Sequence, residues 1–170
     1  GGLAGTGALN SEVVDTVVKI RTAPDARSIP QAIITGAAGG KVSATNLLNG
    51  YEVIRQQDTN HPVQQTHAPR GTVADLQPYN AAADIIAVDI YPVTAAVSAY
   101  NPPITNTGIS QVGDWTLVMA EVANGQKQIW MIEQIAFSGT TPPKKTLIFP
   151  TFTQSRYMAY QALIDGARGL

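Results

Sequence analysis

The chain contains no cysteine. That excludes disulfides, thiolate nucleophiles and cysteine-ligated zinc, and leaves localisation unassigned, because reducing and oxidising compartments both hold cysteine-free proteins. Charge is also scarce. Only 14% of residues are charged, 11 basic against 12 acidic, and no basic run occurs. A nucleic-acid partner held by phosphate neutralisation is therefore not expected. No apolar stretch reaches the roughly 20 residues that span a bilayer, and the N-terminus has neither the basic region nor the apolar core of a signal peptide, so no membrane partner is expected. No group of His, Asp and Glu has metal-ligand spacing, and neither a metal nor another cofactor is expected. What is abundant is apolar surface, 44% over 170 residues, enough for one domain with its own core.

The pattern along the chain alternates strand and helix. Gly1 to Gly7 (GGLAGTG) carries no side chains that build a core; residues 1–10 read as a flexible lead or the scar of a cut. Val13, Val14, Val17, Val18 and Ile20 recur at helical spacing and predict a helix over Ser11 to Thr22. Gln31 to Thr35 follows as a short strand, then the glycine-rich Gly36 to Gly40, which lacks the Gly-Lys-Ser/Thr or GxGxxG spacing of a phosphate loop. A helix over Ser43 to Gln57 has an apolar stripe of Leu47, Leu48, Tyr51, Val53 and Ile54, with Ser43 as its cap.

A second strand is expected at His61 to Ala68, with Val63, Gln65 and His67 on one face. After a turn at Pro69-Arg70-Gly71, a short helical piece runs from Thr72 or Asp75 to Tyr79. The third strand lies in Asp84 to Val93. A helix over Ser110 to Ala123, ended by Asn124-Gly125, precedes a fourth strand from Gln128, and a last helix over Thr153 to Ala167 buries Met158, Ala159, Ala162 and Leu163. Four strands separated by helices predict an α/β fold of parallel βα repeats.

Two strand ends deliver carboxylates. ADIIAVDIYPV, from Ala83, brings Asp89 and Tyr91 to the end of one apolar run, and QIWMIEQIAFSG, from Gln128, ends its run in Glu133 and Gln134. An α/β barrel keeps its chemistry at such ends. A carboxylate there also serves as a helix cap or loop ligand. His67 and Arg70 lie near the end of the second strand; each has a plainer role, His67 as a structural hydrogen-bonding residue and Arg70 as a turn cap. Tyr91 and Trp130 offer stacking faces, although Trp130 sits within an apolar run and reads as core. Ser138 lacks the GxSxG elbow of a serine hydrolase, His61 reads as structural, and Arg156 and Arg168 read as ion-pair or carbonyl partners.

From about Ser43 to Leu170 the chain resembles the second half of bacterial glycoside hydrolases built on the (β/α)8 barrel. The resemblance rests on AxDIxxxDIYPV, from Ala82 to Val93, and RxMAYQALxxGARG, from Arg156 to Gly169. It implies that the four strands are the fourth to seventh of a barrel, that residues 11–170 form a partial barrel domain, and that an eighth strand would begin after Leu170. A closed barrel takes about 250 residues. A small doubly wound parallel sheet is the alternative architecture.

By that resemblance Glu133 stands where a retaining glycosidase carries its nucleophile, and an acid/base carboxylate is expected near Thr35 to Gly40. There the chain reads TGAAGG, with no carboxylate between Asp25 and Glu52. Asp89 is the substitute within the chain. The sugar pocket is then lined by His67, Tyr91, Arg70 and Gln134, and the partners are a carbohydrate together with a second copy or a complementing barrel half. The other readings are a noncatalytic module that binds carbohydrate or protein, and a self-assembling structural subunit.

Overall fold

The computed structural model describes residues 33–35, 43–93, 103–135, 138–139 and 147–170. The expected helix over Ser11 to Thr22, the flexible lead and the Gly36 to Gly40 loop lie outside the described residues. Four strands, β1 (Ile33–Thr35), β2 (Gln64–His67), β3 (Ile85–Ile90) and β4 (Gln128–Glu133), form one sheet in the order β1-β2-β3-β4. Every pairing is parallel. The helices are α1 (Ala44–Gln57), α2 (Val73–Leu76), α3 (Gln111–Ala123) and α4 (Phe152–Ile164), with a 3-10 turn over Gln77–Ala82 continuing α2. Two short antiparallel strands, β5 (Ser138–Gly139) and β6 (Leu147–Ile148), occupy part of what the sequence suggests is only a loop.

Cap chemistry sets most helix starts. Ser43 Oγ accepts the Asn46 N–H at 3.1 Å, as its position predicts. Two capping boxes were not anticipated: Thr72 with Asp75, and Thr151 with Gln154, each side chain meeting the other residue's backbone N–H. The second box starts α4 ahead of the expected Thr153, and the helix ends at Ile164 rather than Ala167. At the end of α3, Asn124 takes the left-handed conformation (φ 47°) and returns its N–H to the carbonyls of Ala120 and Glu121.

One face of the sheet makes the main core. Ile86, Val88 and Ile90 of β3 and Ile129 and Met131 of β4 pack with Val112, Trp115, Met119 and Val122 of α3 and Met158 and Ala162 of α4. Burying each large side chain contributes about 1.5–3 kcal/mol. Smaller clusters join Leu47 of α1 to Ala82, and Ile54 to Val63. A strand order that follows chain order, with the core clusters drawn from one face among the described residues, is compatible with part of a βα repeat. A doubly wound sheet reverses its order and packs helices on both faces. Leu163, expected in the core, is 49% exposed; α4 touches the sheet through the narrow Met158 and Ala162 stripe.

Candidate functional site at the strand ends

Parallel pairing runs from Ile85 opposite Gln128 to Asp89 opposite Ile132 and Ile90 opposite Glu133. Side chains alternate faces along a strand, so Ile90 and Glu133 share the face that carries α3, while Asp89 shares the opposite face with Ala87 and Trp130. The two carboxylates therefore belong to the same rim but to opposite faces. A retaining pair converges on one sugar with its carboxyls about 5 Å apart, and this placement does not bring Asp89 and Glu133 together in that way.

Asp89 and Tyr91 do meet. The Tyr91 hydroxyl donates to the Asp89 carboxylate, as two residues on one face of an extended segment allow. Burial, the larger influence, pushes the Asp89 carboxyl up, and hydrogen bonds to the charged form only partly oppose it. Tyr91 is also pushed up, by burial and by the adjacent carboxylate, and its ring is 46% exposed. The pair presents an aromatic face beside a carboxyl, a combination suited to a polyol.

Glu133 is half-buried, and burial pushes its carboxyl up to about 7. Its Oε1 has no hydrogen-bond partner among the described residues. A carboxyl poised near neutrality exchanges a proton readily, which suits general acid or base work. The next residue, Gln134, is 1% exposed, and its amide is engaged with Val93: Oε1 accepts the Val93 N–H at 2.9 Å and Nε2 donates to the Val93 carbonyl at 2.8 Å. It does not extend a free amide toward a ligand.

His67 does not reach the rim surface. It is fully buried, its Nε2 lies 3.0 Å from Gln65 Nε2, and its ring meets Tyr79 edge-on at 5.9 Å. Burial lowers it to about 4, which keeps the imidazole neutral. Its surroundings are those of a core histidine, the plainer of its two readings. Arg70 is exposed in the turn after β2, where its N–H donates to the Ala68 carbonyl at 2.7 Å. Trp130 is half-buried, and the chain end crosses it: Met131 donates to the Gly169 carbonyl and Arg168 to that of Ile129, so close that a Cβ at Gly169 would meet the indole at 2.7 Å. Arg156 lies over the Tyr160 ring at 5.5 Å, and among the described residues it pairs with no acid.

Sequence reasoning missed a carboxylate hub at the other end of the strands. Asp84 accepts the Tyr51 hydroxyl at 2.8 Å and the Val63 N–H at 2.8 Å, with Arg55 at 3.9 Å. An acidic residue immediately before a buried strand was the available signal. The strand expected at His61 to Ala68 is present as β2, Gln64 to His67, but both its faces are buried, where alternation predicts only one. Among the described residues no group of His, Asp and Glu is arranged to hold a metal ion. No described helix is long and apolar enough to cross a membrane.

No family model matches the chain, and no curated protein matches it. Among solved structures it is similar to a β-galactosidase from the psychrophilic Marinomonas ef1, with a TM-score of 0.56 and 15% identity over 74% of this chain. The chain spans only 20% of that enzyme's length. At this identity the likeness is one of fold alone.

Proposed function

We propose that the chain is a glycoside-hydrolase-like segment of a (β/α)8 barrel, contributing to a carbohydrate site at the C-terminal rim of the sheet. The observation that carries this reading is Glu133, a half-buried carboxyl raised to about 7 at the last position of a parallel strand. Asp89 and Tyr91 on the neighbouring strand offer a carboxyl and an exposed ring on the other face of the same rim, and Arg70 borders it. The fold likeness to a β-galactosidase supports the assignment of substrate class.

In this reading Glu133 moves a proton or attacks the anomeric carbon, and the opposing carboxylate comes from outside the Asp89 face. A complementing barrel half or a second copy supplies it. The apolar side chains exposed along α4, Phe152 at 82% and Ile164 at 78%, favour such association. Light scattering that shows a strict monomer without sugar turnover removes the self-completed version. Turnover of chromogenic glycosides by the purified chain, lost in Glu133→Gln, is the direct test of the catalytic reading. Retained turnover in that variant removes Glu133 from the chemistry.

The noncatalytic alternative, a carbohydrate-binding descendant, is favoured by one observation: the two rim carboxylates sit on opposite faces. Saturable sugar binding without turnover, lost in Tyr91→Ala and kept in Glu133→Gln, distinguishes it.

A further inference from the structure

The ladder between β3 and β4 stops at Ile90 and Glu133, and the residues beyond on the β3 side are Tyr91 and Pro92. Proline has no N–H to donate, so Pro92 cannot donate to a further rung. The side chain of Gln134 takes over that task. Its carboxamide has the donor and acceptor set of a peptide group, and it spends both on the same residue, accepting the Val93 N–H at 2.9 Å and donating to the Val93 carbonyl at 2.8 Å. Gln134 is 1% and Val93 9% exposed, so water does not compete for either bond.

We propose that Gln134 is a positioning residue, an added side-chain rung that clamps the end of β4 to the β3 exit and thereby holds the adjacent Glu133 carboxyl half-withdrawn from solvent. Glu133 is fixed on one side by its pairing with Ile90 and on the other by this clamp. No other common side chain reproduces it. Asparagine is one methylene short, ionised glutamate has no proton to donate, and methionine offers neither group. Burial is the cause of the raised Glu133 carboxyl, and Asp89 stands on the opposite face. Loosening the clamp therefore lets the carboxylate reach water.

The inference rests on the catalytic reading of Glu133 for its functional meaning, but its test does not use turnover. The chain has four glutamates, Glu12, Glu52, Glu121 and Glu133, so carbon-13 labelling at glutamate yields four carboxyl titrations, with Glu133→Gln identifying the fourth. In the unsubstituted chain the Glu133 midpoint is expected at about 7; in Gln134→Met and Gln134→Asn it falls toward the ordinary 4.5. Ser43→Ala, which weakens a distant helix cap, should leave it unmoved. A Glu133 midpoint unchanged in a folded Gln134 variant, or one that falls equally in Ser43→Ala, overturns the proposal. If both Gln134 variants fail to fold, amide exchange of Val93 in the unsubstituted chain decides: strong protection supports the clamp and fast exchange overturns it. A shifted midpoint in a chain without glycosidase activity retains the clamp and removes the catalytic reading. An unshifted one in an active chain does the reverse.

Discussion

Asp84 and Glu133 are both carboxylates beside the same sheet, one before β3 and one at the end of β4, yet they live in opposite circumstances. Asp84 meets a tyrosine hydroxyl, a backbone N–H and a nearby guanidinium, so its charge is answered locally. Glu133 is withdrawn from water with one oxygen lacking a partner among the described residues, and its carboxyl is pushed up to about 7. The N-terminal ends of the strands spend their polar groups on holding α1, β2 and β3 together. At the C-terminal ends Gln134 is bonded to Val93 and Asp89 to Tyr91, while Glu133 Oε1 is left without a partner among the described residues.

The largest test of that contrast is Asp84→Ala. It strips the acceptor from two donors at once, and urea unfolding should report a loss of roughly 3 kcal/mol. Glu133→Gln, measured alongside at neutral pH, should cost nothing or add stability. Equal losses at the two positions would erase the distinction.

The next test sets a buried histidine and a half-buried carboxyl against each other through pH. His67 titrates at about 4 in the folded chain and near 6.5 when unfolded, so stability is full above pH 6.5 and is lost as pH falls toward 4, by roughly 3 kcal/mol. Glu133 runs the other way. Its folded midpoint of about 7 lies above the ordinary 4.5, so the folded state holds a proton that the unfolded state has released. Stability declines from pH 4.5 to 7 and levels off above, by about 1 kcal/mol once the half exposure of the group is allowed for. His67→Phe should flatten the acid side of the stability curve and Glu133→Gln the neutral side. A Glu133→Gln curve that still declines between pH 4.5 and 7 assigns the effect to another group.

A smaller effect is expected at Gly169→Ala, where the added methyl meets the Trp130 ring; about 1–2 kcal/mol is lost as the chain end lifts. Indole fluorescence should shift to the red with it. In a Trp130→Ala background the same substitution should cost nothing, and a cost that persists would mean the glycine serves its own backbone instead.

Much of the fold was legible because its signals are local. Ser43 and the Asn124-Gly125 pair mark helix ends by side-chain chemistry confined to one turn, and β3 and β4 announce themselves as apolar runs ended by polar residues. The face on which each carboxylate stands was not legible. Asp89 and Glu133 close similar runs, and only the register, which depends on how two strands slide past one another, assigns them to opposite sides. Leu163 failed for a related reason: helical spacing identifies a stripe but not how narrow a contact the neighbours leave for it. Gln134 was read as a ligand residue because its bonds go to Val93, far away in sequence and invisible to any window. His67 had both readings open, and its burial selected between them.

The sheet's order has a consequence for how the molecule comes into being. No described strand in it waits for a partner later than the next strand along the chain. Each βα step therefore has its template already in place when it leaves the ribosome, and the sheet can grow by accretion in the direction of synthesis. The clamp at Gln134 is then among the later contacts to form, so the rim carboxyl acquires its environment only after the scaffold beneath it has set.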